Sequence, residues 1–300
     1  MSESVGDEYR ETVEIHDRDF QLYSIQNRIY FVPVDDEEEE RLQIQHRVFS
    51  ALWEGRLFFP PLSYPRRILD LGYGQGEWAV AMAEQYENSQ VTAVDIWHAD
   101  LPDQPDNLDC EHWNLNDPLT PTYKRDHYDF IHSRCVSPGI KKDRWRSYVR
   151  DIYRLLRRGG WAQLVEYYFI VQSDNGRIND DNPISQWGTC YRRSMEGDRD
   201  PRAGRHIRQL MRDSGFSDVQ EQIFHVPIGS WHNDERMRNV GTQNVENVSL
   251  MLDSHAIWPF THRLGWTAQQ VGWLTDGART ELRDDSLKLY MPLSACGVGT

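Results

Sequence analysis

The sequence predicts an α/β fold: a seven-stranded, mostly parallel sheet with an N-terminal helical lid and a helical insertion between the last two strands. Three observations carry this. An apolar run, Ile68, Leu69 and Leu71, stops at three glycines spaced by two, Gly72, Gly74 and Gly76, and a helix-compatible segment follows from Glu77 to Tyr86. A second apolar strand, Val91 to Asp95, ends in a carboxylate twenty-five residues after Asp70. Strand-like and helix-like segments then alternate as far as about residue 170, the pattern of parallel strands joined by helical crossovers.

Strand, glycine turn and helix together make a cofactor cradle. Glycine reaches backbone angles closed to other residues and lets a ligand approach the main chain. The helix that follows offers unpaired N–H groups at its start. An acid at the end of the second strand is placed to hold the two hydroxyls of a ribose. Dinucleotide sites use G-x-G-x-x-G, because a pyrophosphate sits on the helix N-terminus. Here the spacing is G-x-G-x-G, with Asp70 two residues ahead of the first glycine. A carboxylate there repels a pyrophosphate and suits the ammonium of a methionine moiety, so the loop points to S-adenosyl-L-methionine. A ligand-free strand–turn–helix is the bland alternative, and Asp95 argues against it.

Composition narrows the classes. The 300 residues are enough for one large domain with a buried core. A mean hydropathy of −0.72 describes a well-charged surface. The formal charge of −14 argues against direct nucleic-acid binding, which needs a basic face. Cys110, Cys135, Cys190 and Cys296 lack paired or metal-site spacing, which fits free thiols in a reducing compartment. No signal peptide core and no membrane-length apolar run is present, so a cytoplasmic or nuclear protein is expected. The eleven histidines show no ligand spacing, and no metal site is expected.

Taken in order, residues 1 to about 19 are charged and aperiodic, as in a mobile or extended arm. An aromatic stretch from Phe20 to Phe31 precedes the acidic run Asp35 to Glu40, which opens a helix through its dipole. That run reads either as a solvated helix start or as part of a lid over the cofactor. Pro60, Pro61 and Pro65 stiffen the approach to the first strand. Ala99 to Asp106 is turn-rich, and strands follow at Leu108 to Trp113, Tyr128 to His132 and Trp161 to Phe169. Between the last two lies a helix from Asp143 to Leu156, which Gly159 and Gly160 are expected to end. Gln172 to Asp200 reads as a loop with one helix at most, and Ala203 to Ser214 as a helix. A sixth strand, Asp218 to Val226, and a seventh, Leu287 to Leu293, flank a mostly helical stretch with a capping box at Thr267 and Gln270. Pro292 marks the seventh strand as an edge. The expected division is 1–60 arm and lid, 61–230 Rossmann-like core, 231–285 helical substrate cap, and 286–300 last strand and tail. The sequon Asn247-Val248-Ser249 is expected to stay unglycosylated.

These residues also carry a resemblance that spans about Tyr23 to Tyr290. Tyr30-Phe-Val-Pro33, Asp36 to Leu42 with His46, Arg67 to Gly72 with Gly74, Gly76 and Trp78, and Tyr128 to Arg134 belong to it. So do Gly159-Gly160 with Glu166, Ser173-Asp-Asn-Gly176, Ile228 to Trp231 with Asp234, and Leu264 to Thr267. The chain resembles the fungal LaeA-like methyltransferases, class I S-adenosylmethionine-dependent enzymes associated with secondary metabolism and with velvet-domain regulators. It departs from them at Tyr73 and Gln75, where small threonines are usual, and at Trp113-Asn114, where two acids are common.

Resemblance and local chemistry together imply a site. Asp70, Gly72, Tyr73, Gly74 and Gly76 would hold the methionine end, and Asp95 the ribose. Ile96 would wall the adenine or be plain core. Asn114, through its amide oxygen, and the Leu115 N–H would read the adenine edge. Ser133 or Arg134 would lie beside the sulfonium. Arg134, Tyr168, Trp231 and His232 are the substrate candidates. His132 is the candidate base, with a packed strand-end histidine as the alternative. The expected function is methyl transfer to the O, N or S atom of a small molecule of secondary metabolism. The alternatives are a regulatory methyltransferase-like protein working through velvet-type partners, and a cofactor-binding protein that catalyses another reaction.

Overall fold

The apolar run before the glycines forms β3 (Arg67–Leu71), buried from its second residue onward. A parallel strand covered on both faces reads as continuous apolar sequence, and Asp70 is the one polar side chain in that buried run. The computed structural model of the chain describes residues 9–97, 101 and 103–299. On one side of β3 lie β4 (Gln90–Asp95) and β5 (Leu108–His112). On the other lie β6 (Tyr128–Arg134), β7 (Leu156–Tyr167) and β10 (Leu289–Gly299). The strands from β3 to β7 run parallel. β10 is antiparallel to β7 and to β9 (Ser217–Pro227). The chain steps outward from β3 through β4 and β5, then returns to β6 beside β3, so a crevice opens beyond their carboxyl ends.

The helices follow their local signals. α3 (Glu77–Gln85) leaves the glycine loop, and α4 (Trp145–Leu155) buries Trp145, Tyr148, Val149, Ile152 and Leu155, the spacing the sequence predicts. α2 (Asp36–Leu52) is capped by Asp35, which accepts from Glu38 N at 3.1 Å. The insertion between β9 and β10 is α7 (Glu235–Ser254), α8 (Ile257–Leu264) and α9 (Ala268–Leu282), and Thr267 with Gln270 forms the expected capping box on α9. α7 packs along α2, while α8 and α9 pack on α5 (Pro183–Met195). Asn247 on α7 is buried, bonded to Arg41 and Asn244, so its sequon is closed to glycosylation. Among the described residues no helix is long and apolar enough to cross a membrane.

Several expectations need correction. Residues 1–8 of the predicted arm lie outside the described residues, but beyond them β1 (Thr12–Ile15) and β2 (Arg18–Gln21) pair as an antiparallel hairpin. Its two-residue turn, His16-Asp17, has both φ positive (54° and 61°) without the Asn-Gly signal such turns usually carry. Phe20 is buried, and Arg18 pairs with Asp35 at 2.6 and 2.8 Å, which ties the hairpin to α2. A short helix, α1 (Leu22–Gln26), follows. The turn-rich stretch from Ala99 lies partly outside the described residues, at 99, 100 and 102. Gly159 and Gly160 do not end a helix: α4 stops at Leu155, and the glycines sit inside β7 at a register shift against β6. A Cβ on Gly160 would stand 2.9 Å from the Arg157 carbonyl oxygen, so the bulge needs glycine. β10 is not an edge strand, for β9 covers its far side. Pro292 is tolerated because its carbonyl accepts from Tyr168 N, 2.9 Å, just past the end of β7, where no strand carbonyl waits for a proline N–H. The Gln172–Asp200 stretch yields α5 and an eighth strand, β8 (Gln172–Ser173), too short for any periodicity to show. Ala203 to Ser214 splits into a 3-10 turn at Ala203–Arg205 and α6 (Ile207–Ser214).

One contact fixes the insertion on the sheet. Gly229 N, just past β9, donates to Gly241 O of α7 at 3.0 Å, and a Cβ on Gly241 would overlap the Gly229 carbonyl oxygen. Gly241→Ala should therefore destabilise the chain by about 1–3 kcal/mol, although alanine favours a helix by about 1 kcal/mol over glycine. A urea midpoint unchanged or raised would show that α7 can slide away freely.

Candidate active site

The crevice beyond β3, β4 and β6 is an open cleft of about 1220 Å³, its solvent-facing space included. Its walls are the glycine loop, the chain after β4 and β5, the loop after β6, and residues 29–45 from the segment before α2 and α2 itself. Phe169, beyond β7, and His255, the C-cap of α7, complete the wall.

The loop's shape requires its glycines. Gly72, Gly74 and Gly76 have φ of 82°, 59° and 84°. A Cβ on Gly72 would overlap Val136 Cγ1, and one on Gly76 would come within 2.8 Å of Leu101. Tyr73 turns its side chain into the core with Ile68 and Trp78, so a bulky residue fits where a small one is usual. Its neighbours in the chain stay at the cavity. Asp95 Oδ2 accepts from Gly74 N at 2.9 Å and Oδ1 from Trp97 N at 3.1 Å. Burial raises its carboxyl to about 6, against those bonds, which lower it. Ile96 N also bonds the carboxylate, which leaves it one acceptor position for donors in the cavity. Ile96 lines the cavity, and its carbonyl is held by Gln21 Nε2 at 2.8 Å, so the hairpin braces the loop after β4.

Gly72, Tyr73, Gly74, Asp95, Ile96, Asn114, Leu115 and Arg134 share this cavity. Asn114 needs a correction: its amide oxygen accepts from Asn116 N and Nδ2, both at 3.0 Å, and is not free for an adenine amino group. Arg134 lies over the Phe49 ring, 5.1 Å from its centroid, close to His46. Burial, and then the charge of Arg134, lower His46 to about 4.

The other sequence-derived candidates are not cavity walls. Asp70 is buried behind the loop with Oδ1 2.8 Å from His132 Nδ1. His132 is 1% exposed and stacks on Trp78 at 3.8 Å, so its strand-end position turns it into the layer between sheet and α3. Ser133 is buried against the Tyr148 hydroxyl, 2.9 Å away, and Gly76 caps α3. Tyr168 packs under Arg205; Trp231 Nε1 donates to Leu289 O at 2.8 Å; His232 Nδ1 accepts from Asp234 N at 3.1 Å. None of the three lines the cavity.

Several wall residues escaped the sequence reading. Glu77, the first residue of α3, faces the cavity with its Oε1 buried and unpartnered among the described residues, and burial raises its pKa. Its place directly after the third glycine is a signal that was there to read. Glu38 and Arg41, one turn apart on α2, form a buried ion pair at 2.7 Å. Behind the loop after β6, Glu166 is 1% exposed and accepts from Val136 N at 2.8 Å and Ser137 N at 3.3 Å. Burial pushes its carboxyl up to about 8. His255 and Phe169 have no local signal.

The donor set can be tested against a ligand. Two carboxylates, Asp95 and Glu77, flank a loop whose glycines leave no room for Cβ atoms at Gly72 and Gly76. Anionic walls suit hydroxyl and ammonium donors and disfavour a pyrophosphate. With the strand order, that chemistry defines a class I S-adenosylmethionine-dependent methyltransferase, with S-adenosyl-L-methionine as cofactor. The chain belongs to the methyltransferase domain family, whose pattern matches residues 44–221, more than half of its length. It is 29% identical to the secondary metabolism regulator laeA of Monascus pilosus over 299 residues, 96% of this chain and 80% of that one. It is 28% identical to the protein-methionine methyltransferase laeA of Emericella nidulans, covering 92% of this chain and 74% of that one. The methyltransferase pytC of Aspergillus terreus is 29% identical over 85% of this chain and 79% of its own length. The LaeA-like resemblance is borne out. Among solved structures, a geranyl diphosphate methyltransferase with geranyl diphosphate and sinefungin superposes with a TM-score of 0.49 at 14% identity, over 84% of this chain and 78% of that one.

Proposed function

We propose that the chain methylates a small, largely apolar molecule of secondary metabolism held in the same cavity as the cofactor. The supporting observation is the extent of that cavity, which runs past the glycine-loop cradle to Ile29, Tyr30, Cys135, Phe169 and His255. The bound cofactor supplies an activated methyl group. In this reading Gly72, Gly74 and Glu77 receive the methionine end, Asp95 holds the ribose hydroxyls, and Ile96 and Leu115 enclose the adenine. The residues before and within α2 exclude water from the reacting groups, and catalysis rests mainly on alignment. His132 has a packing role, since its ring is sealed between Asp70 and Trp78.

A second reading is a regulatory methyltransferase acting on or through a protein partner of velvet type. The names of the Monascus pilosus and Emericella nidulans relatives favour it. Purification of the tagged chain from its own cells separates the two: a stoichiometric protein partner favours the second, a methylated metabolite the first.

Cofactor binding is measurable on its own. S-Adenosylhomocysteine should bind in isothermal titration, and Asp95→Ala should weaken it by about 1–3 kcal/mol, the cost of leaving polar partners unpaired. Equal affinity would remove the ribose assignment, and a preference for NAD would overturn the cofactor reading itself.

A further inference from the structure

With His132 sealed away from the cavity, a methyl acceptor that must lose a proton needs another group to take it. Most titratable wall residues cannot. Burial raises the Tyr30 hydroxyl and the Cys135 thiol, so both keep their protons. Glu38 is held by three contacts with Arg41, at 2.9, 2.9 and 2.7 Å. Asp95 is tied to the glycine loop, Glu77 stands at the start of α3, and Glu39 is exposed on α2 beside Gln43.

His255 is the histidine on this wall. It is 3% exposed, with Phe169 at 5.5 Å and Tyr191 at 5.9 Å between ring centroids. Its Nδ1 lies 3.0 Å from Ser254 Oγ, which fixes the ring and directs Nε2 elsewhere. Among the described residues Nε2 has no hydrogen bond. Burial, and then the charge of Arg41, keep the ring neutral at neutral pH. We infer that His255 Nε2 accepts the proton of the methyl acceptor, and that the acceptor is an aromatic or enolic hydroxyl on an uncharged, mainly apolar molecule.

The chemistry selects that class. Ile29, Phe169 and Ile140 give apolar walls, and Arg41, the cation whose charge reaches His255, is already paired with Glu38, so an anionic acceptor gains no free counter-ion from it. As the hydroxyl oxygen forms its bond to the methyl carbon, the oxygen becomes strongly acidic and its proton passes to Nε2. The electron pair of the broken methyl–sulfur bond stays on sulfur, and the imidazolium later gives the proton to solvent. A weak, neutral base suffices for that timing. The inference rests on the small-molecule reading above, and its test separates the two.

The test uses β-naphthol, its methyl ether and S-adenosylhomocysteine. Wild-type protein saturated with S-adenosylhomocysteine should bind β-naphthol up to about 10-fold tighter than the ether, because only the hydroxyl donates to Nε2. His255→Phe, which keeps the ring and removes the acceptor, should lose that preference. Its methyl transfer to β-naphthol should fall by about 10²–10⁴-fold. His255→Gln should keep the preference through its amide oxygen yet lose turnover, a split that a merely structural histidine would not produce. Affinity for S-adenosylhomocysteine should stay unchanged in both. Retained turnover in either variant overturns the proposal. So does a wild type that binds S-adenosylhomocysteine but not β-naphthol, while the small-molecule reading survives. A wild type that binds no S-adenosylhomocysteine overturns both.

Discussion

Arg41→Ala should cost about 3–5 kcal/mol of folding stability, the usual penalty for stranding a buried charge. Arg41 is 4% exposed and Glu38 3% exposed, so neither charge has water to fall back on. The guanidinium bonds Glu38 through Nε and one terminal nitrogen. Its other terminal nitrogen reaches Gln45 Oε1 and Asn247 Oδ1, each at 3.1 Å. One side chain therefore neutralises an acid on the cavity wall and ties α2 to α7. Alanine leaves the carboxylate buried alone and two amide oxygens without a donor. The double variant Glu38→Gln/Arg41→Met removes both charges and should recover most of the loss. Urea unfolding of the single and double variants measures this directly. A single variant within about 1 kcal/mol of wild type would mean that water reaches Glu38.

The sheet was legible because its signals are local. β3 runs apolar into glycines, α4 repeats its apolar residues at helical spacing, and α9 carries its capping box. The cradle was legible for the same reason: Gly72, Gly74 and Asp95 lie within one strand–loop–helix–strand unit. Asp70 and His132 show where such reading stops. Their positions on β3 and β6 bring them side by side, but whether a strand-end side chain faces the crevice or the helix layer depends on strand twist and on Trp78, which captures the His132 ring. Asn114 failed for a subtler reason, since Asn116 two residues on takes its oxygen. The far wall was legible only as a lid over the cofactor. The charge of Arg41 reaches His255 from more than two hundred residues away in the chain, through the packing of α7 on α2, and nothing near either residue in sequence announces it.

Glu166→Gln should leave the chain's stability nearly unchanged in mildly acidic solution and raise it above wild type in alkaline solution. In the folded chain burial raises the Glu166 carboxyl from 4.5 to about 8. The folded state therefore holds a proton that the unfolded state releases once the pH passes 4.5. Stability from this group is fully present below that pH and is lost as pH rises through about 8. The full loss is roughly 5 kcal/mol, at about 1.36 kcal/mol for each tenfold difference in proton affinity between the two states. Glutamine carries no proton to lose, and its amide oxygen can still accept from Val136 N, the shorter of the two contacts. Near pH 5 the two proteins should be of similar stability; near pH 9 the variant should be ahead by several kcal/mol. Asp95, raised to about 6, adds a slope of the same sign to both, so the difference between them isolates Glu166. Urea midpoints across that range give the two curves. Parallel curves would show Glu166 ionised throughout, with both backbone donors satisfying a true carboxylate. A wild-type curve that falls with pH more steeply than the variant's would place a neutral acid behind the loop that forms one wall of the cavity.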